Sequence, residues 1–228
     1  MSVRFLSAQT AGVALRRDRH QGQMQMRRFR RNSLKCWAIA MWWLVLLCAP
    51  ASVLAVDVAD RIGVPGPIRF GDTDFALQWV STPSPELYKQ EYVPAGQRVQ
   101  RYDSMVLIDV RPLGAGVAQT MRAMIEQIDA RKATDPVANY DVLVNEGRGE
   151  VLLDFVISAR DTSGLIVEWD AYRYFPGPGG QGTTVIAISR RGYDDAARAF
   201  LVDLKTRRQQ DISTLTALQP FDIKLPDR

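Results

Sequence analysis

Between Glu150 and Phe175 the sequence places Asp154 inside a first predicted strand, and Glu168, Asp170, Tyr172 and Tyr174 in a second. Asp161-Thr162-Ser163, with Gly164 beside it for a positive φ, reads as a three-residue turn, and such a turn makes odd positions face odd ones. Phe155 then packs on Trp169, and Ile157 on Val167, along a core face. On the other face Asp154 opposes Asp170, Leu152 opposes Tyr172 and Val156 opposes Glu168. Opposed carboxylates repel. The row would suit a hard cation such as calcium, which takes oxygen ligands, or acid–base work by carboxyls whose pKa values are raised. The simpler expectation is a face that is solvated, or neutralised by Arg or Lys from a neighbouring element, because no Asx-rich calcium loop accompanies it. The ligand-binding candidates are therefore Asp154, Glu168, Asp170, Tyr172 and Tyr174, with no catalytic residue, metal or cofactor expected.

The elements that must position these residues follow from the patterning of the chain. Pro67 to Phe70 and Phe75 to Val80 read as short strands around Gly71-Asp72-Thr73, and Ser81 to Pro85 as a loop. Lys89 to Val93 is extended and Met105 to Val110 is a buried strand. Val117, Met121, Met124, Ile125 and Ile128 recur at helical spacing, which predicts a helix from Val117 to Lys132 that packs on the core. Strands follow at Tyr140 to Val144, Glu150 to Arg160, Leu165 to Phe175 and Thr183 to Arg190. A closing helix runs from an Asp194 N-cap to Arg208, burying Ala197, Phe200, Leu201 and Leu204. The tail from Asp211 to Arg228 is expected to wrap the surface. The fold class is α+β, a mostly antiparallel sheet flanked by two main helices.

Upstream lies KCWAIAMWWLVLLCAPASVLAVD, Lys35 to Asp57. Cys36 to Ala55 is long enough to cross a hydrocarbon core of roughly 30 Å. Its strongly apolar part ends at Ala49, however, and Pro50 and Ser52 interrupt it. A basic segment precedes it, and Val53-Leu54-Ala55 offers small residues at the −3 and −1 positions, the layout of a secretory signal. Cleavage is expected between Ala55 and Val56. Residues 1–55 are then a basic leader and signal peptide, with Met24 and Met26 as alternative starts, and 56–228 a single extracytoplasmic domain. An inner-membrane anchor formed by residues 36–55 is the alternative. Lipidation at Cys48 is disfavoured by the large Leu47 before it, and Arg30-Arg31 reads as part of the basic segment rather than a twin-arginine signal.

Removing the leader changes what chemistry is available. Residues 1–35 hold nine basic residues and one acid, so the chain from Val56 onward carries 20 basic and 24 acidic side chains, a net charge of −4. That balance argues against nucleic acid as a partner. Both cysteines, Cys36 and Cys48, and the single histidine, His20, lie in the leader. Disulfides, Cys or His zinc sites and His-dependent nucleophile systems are thereby excluded from residues 56–228. Carboxylates, Lys, Tyr, Ser and Arg remain.

Glu91-Tyr92-Val93-Pro94-Ala95-Gly96-Gln97, followed by Tyr102-Asp103-Ser104-Met105, resembles a Y-x-P-x-G-(Q/E) motif of uncharacterised exported proteins of Gram-negative bacteria. The order of elements resembles the PsbP-like α/β sandwich. The resemblance implies a non-catalytic binding or assembly role and carries over no catalytic residue. The function expected is thus an exported binding or assembly-support protein of the cell envelope, acting on an envelope protein or a small ligand. A hydrolase or lyase built on carboxylates and tyrosine is the alternative.

Overall fold

The computed structural model describes residues 58–161 and 164–226. The expected leader, the expected cleavage site at Ala55 and Val56, both cysteines and His20 lie outside the described residues. The chain divides into units Met1–Ser52 and Val53–Arg228, and all described residues belong to the second.

Among the described residues eight antiparallel strands form one sheet in the order β1-β2-β3-β4-β8-β7-β6-β5. They are β1 (Ile68–Phe70), β2 (Thr73–Ser84), β3 (Leu87–Pro94), β4 (Ser104–Arg111), β5 (Asn139–Asn145), β6 (Glu150–Asp161), β7 (Gly164–Pro176) and β8 (Thr183–Tyr193). Helix α1 (Val117–Arg131) links β4 to β5, and α2 (Ala196–Ala217) follows β8. The α+β expectation holds. The presumed loop at Ser81 is instead the end of a longer β2, paired with β3 through Ser84 and Leu87.

The two helices pack on opposite faces. On the α2 face, Tyr88, Tyr92, Val106, Ile108, Trp169, Ala171, Ile186 and Ile188 join Leu204, Ile212 and Leu215 of α2 in the core. Gly192 lets α2 approach β8, since a Cβ there would lie 2.4 Å from that of Phe200. On the α1 face, Ile128 is buried, and the helix packs on β5, β6, β7 and β8. Asp135 ties the far end of α1 to β6, accepting hydrogen bonds from the Ser158 N–H and hydroxyl, both at 2.6 Å. At the near end, the Thr183 hydroxyl donates to the Ala115 carbonyl at 2.8 Å.

Three expectations are corrected. First, β6 and β7 meet with Asp161 opposite Gly164, which leaves two intervening residues rather than three. Odd therefore faces even: Phe155 pairs with Asp170, Val156 with Trp169 and Asp154 with Ala171. A slip of one residue moves every side chain of a strand to the other face. Phe155 and Trp169 are both buried, as expected, but on opposite sides of the sheet, and Asp154 and Asp170 do not confront each other. Second, α2 extends to Ala217, nine residues past Arg208. Arg208 and Asp211 interrupt its apolar stripe without ending it, because each is paired: Arg208 with Asp154 and Asp141, and Asp211 with Arg190. Third, Asp194 is not the N-cap. It sits at φ 47°, its carboxylate accepts the Leu165 N–H at 2.8 Å, and the helix begins after Asp195. The tail from Leu218 is extended, and Lys224 N–H donates to the Ile62 carbonyl at 2.8 Å.

Candidate functional site

The period of two along β7 puts Glu168, Asp170, Tyr172 and Tyr174 on one side, and the register assigns it to the α1 face. Four rows cross the sheet there. Lys89 and Asp109 face Val185 and Tyr174; Glu91 and Leu107 face Ala187 and Tyr172. Met105 and Ser189 face Asp170 and Phe155, and Arg191 faces Glu168. The small residues of β8, Val185, Ala187 and Ser189, form a floor. The tyrosines rise on one side of it, and Asp109 and Glu91 on the other. Helix α1 packs on the β5–β8 part of this face.

Most polar groups on this face have partners. Arg191 is paired with Glu168 and stacks over the Tyr102 ring, its guanidinium 4.1 Å from the centroid. The Tyr102 hydroxyl donates to Glu168 at 2.9 Å. Ser189 donates to Asp170, and Lys89 pairs with Asp109. The Glu91-to-Gln97 motif supplies Tyr102: Pro94 accepts the Gln97 N–H at 3.1 Å in a turn, and the Gln97 side chain accepts the Asp103 N–H at 2.8 Å. The Tyr193 hydroxyl then clamps the backbone of Tyr102, accepting from its N–H at 3.1 Å and donating to its carbonyl at 2.8 Å.

Two atoms are exceptions. Asp109 Oδ1 and the Tyr174 hydroxyl are buried without a hydrogen-bond partner. A buried polar atom without a partner costs about 1–3 kcal/mol, so it calls for a bound water, ion or ligand.

Burial dominates the electrostatics. The Asp170 carboxyl is pushed well above the usual carboxylate range, first by desolvation and then by Glu168 beside it. Glu91, half-buried, is pushed up to about 7, chiefly by desolvation, with Asp109 and Glu168 adding and Lys89 and Arg191 opposing. Tyr172 and Tyr174 are also raised by burial first, which keeps their hydroxyls protonated. The face therefore offers neutral hydroxyls, a carboxyl that titrates near neutrality and a half-satisfied carboxylate. Among the described residues no three His, Cys, Asp or Glu are grouped as a metal would need.

Asp154 stands apart from this set, on the α2 face. Its Oδ1 accepts the Trp169 indole N–H at 2.6 Å and its Oδ2 pairs with Arg208. It borders a shallow cleft lined also by Asp141, Trp169, Leu204 and Arg208. Of the five residues singled out from sequence, the structure thus brings four together. It adds Lys89, Glu91, Tyr102, Asp109, Ser189 and Arg191. Asp109 carried a readable signal, as the lone charge inside the apolar run MVLIDV.

No curated protein and no solved structure matches the chain significantly. Residues 62–219, spanning both helices and the whole sheet, match the model of a family of uncharacterised function, and the chain belongs to that family.

Proposed function

We propose that the mature protein is an exported, non-catalytic binding protein of the cell envelope that holds a small polar ligand on the α1 face of its sheet, against Asp109, Glu91, Tyr172 and Tyr174. One observation carries this reading: Asp109 Oδ1 and the Tyr174 hydroxyl are buried on that face with no partner among the described residues. A ligand that satisfies both would remove a cost the free protein bears. The net negative charge from Val56 onward supports a partner other than nucleic acid. The signal-like Lys35-to-Ala55 segment supports export to the periplasm or beyond, and the resemblance to exported proteins and to the PsbP-like sandwich supports a binding or assembly role. One observation favours the second reading, a hydrolase or lyase: the Glu91 carboxyl, raised to about 7, is suited to general acid–base work among tyrosines.

The test is native mass spectrometry of protein purified from its own envelope, beside the Tyr174→Phe variant. The expected result is a small molecule retained by the wild type and lost from the variant. A ligand-free wild type whose Tyr174→Phe variant is more stable would overturn the reading, since the hydroxyl would then be only a buried cost.

A further inference from the structure

The two edges of the sheet are protected differently. At one end, β1 is only three residues long. At the other, β5 offers seven residues, Asn-Tyr-Asp-Val-Leu-Val-Asn, with β6 on one side and, among the described residues, no strand on the other. Natural edges are blunted by shortness, by lysine, by proline or by bulges. β5 has none of these: its pairing with β6 is unbroken from Asn139 to Asn145, and it contains neither proline nor a basic residue. Its centre is apolar on both sides. Val142 is 37% exposed, Leu143 53% and Val144 63%. These are three of the five large hydrophobic residues exposed among those described, and they are consecutive.

We propose that β5 is the interface through which two copies of this chain pair, antiparallel and centred on Leu143, to continue the sheet from one copy into the other. The sequence of the strand favours a second copy over an unrelated partner because it is self-complementary in one register. A two-fold axis normal to the sheet keeps each face continuous, so a residue can face only another of its own side. Centring on Leu143 sets Leu143 against itself on one face and Val142 against Val144 on the other, so each apolar side chain meets an apolar partner. Asp141 then faces Asn145, and no like charges meet. Centring on Val142 instead sets Leu143 against Asp141 and wastes the apolar contact. Asp141, the strand's only charge, is paired with Arg208 of α2, which it shares with Asp154. Main-chain pairing of edges is an established mode of protein association. This inference is independent of the ligand site on the α1 face.

The test is sedimentation of the full chain. The wild type is expected to be a dimer. Leu143→Lys, which sets two ammonium groups face to face, is expected to weaken dimerisation by roughly 100-fold. Val202→Lys, at an apolar position on α2 that is 59% exposed, is expected to leave it intact. Geometry is tested in a background with Cys36 and Cys48 replaced by Ser. There Leu143→Cys is expected to form a disulfide-linked dimer on mild oxidation, because facing strand residues lie within bridging distance, whereas Asp141→Cys, facing Asn145, is expected not to. A wild type that stays monomeric at about 100 µM, well above a micromolar Kd, overturns the proposal. So does a dimer that Leu143→Lys leaves intact or that cross-links through Asp141→Cys in preference to Leu143→Cys. Monomers whose β5 amides are protected from hydrogen exchange also overturn it, since another segment of the same chain would then cover the edge.

Discussion

Glu91 is a residue whose chemistry depends on its neighbours more than on its identity. In the unfolded chain its carboxyl titrates near 4.5, and in the folded protein near 7, with burial the largest cause. Between those values the unfolded state has released the proton and the folded state keeps it, so the unfolded state binds fewer protons and stability falls as pH rises through the window. Asp154 and Asp170 are raised as well and add to the slope in the same sense. Glu91→Gln keeps the shape and cannot ionise. The variant is expected to lose stability less steeply between pH 4.5 and 7 and to be more stable than the wild type at pH 7. Urea midpoints across that range provide the measurement, and identical slopes for the two proteins would mean that Glu91 is solvated and ionised in the folded state.

At the scale of elements, one buried arginine joins β6, β7 and α2. Arg173, 2% exposed on β7, donates to Glu150 through Nε and Nη2 at 3.1 and 3.0 Å, and through Nη1 to the Leu215 and Leu218 carbonyls at 3.1 and 2.6 Å. Those carbonyls lie at the C-terminal end of α2, where helical acceptors lack partners of their own. Arg173→Met fills similar space but strands Glu150 and the helix end. The expected cost is about 3–5 kcal/mol, the range for removing one partner of a buried pair, together with faster hydrogen exchange over 209–217. An unchanged denaturation midpoint would show that water replaces the guanidinium at no cost.

The end of α2 and the register of β6 with β7 are two of the features that patterning alone misses, and both have physical reasons. A stripe that contains Arg208 and Asp211 looks interrupted until their partners Asp154 and Arg190 are known, and these lie far away in sequence. The register failed because both faces of the central strands are covered by helices. Leu152 and Val156 pack on one side, and Leu153, Phe155 and Ile157 on the other, so alternation no longer marks an inside and an outside. Turn length alone then decided the pairing, and it differs by one residue from the expected value. What the period of two guarantees within a strand survived. Glu168, Asp170, Tyr172 and Tyr174 share a face in any register. Asp154 was grouped with them only through the pairing, and it is the one that lies elsewhere.

At the scale of the whole molecule, the charge and the family match divide the chain in the same place. The family match begins at residue 62, beyond the basic and apolar segments. Ile62, at the start of the match, is fully buried in the α2-face core, and its carbonyl accepts from Lys224 near the other end of the domain, so the domain closes on itself from this point onward. Among the described residues no helix is long and apolar enough to cross a membrane. Residues 36–55, read from hydropathy as a signal or an anchor, lie outside the described residues. If the apolar part ending at Ala49 acts as a secretory signal, with the small residues Val53 and Ala55 at −3 and −1, the protein recovered from the envelope starts at Val56. It is then expected to lack Trp42 and Trp43, to contain no cysteine or histidine, and to have a melting temperature that neither a reducing agent nor a zinc chelator shifts. Intact-mass measurement decides between the outcomes. A species that retains both tryptophans and partitions with detergent would make residues 36–55 an anchor and place the folded domain at the membrane surface.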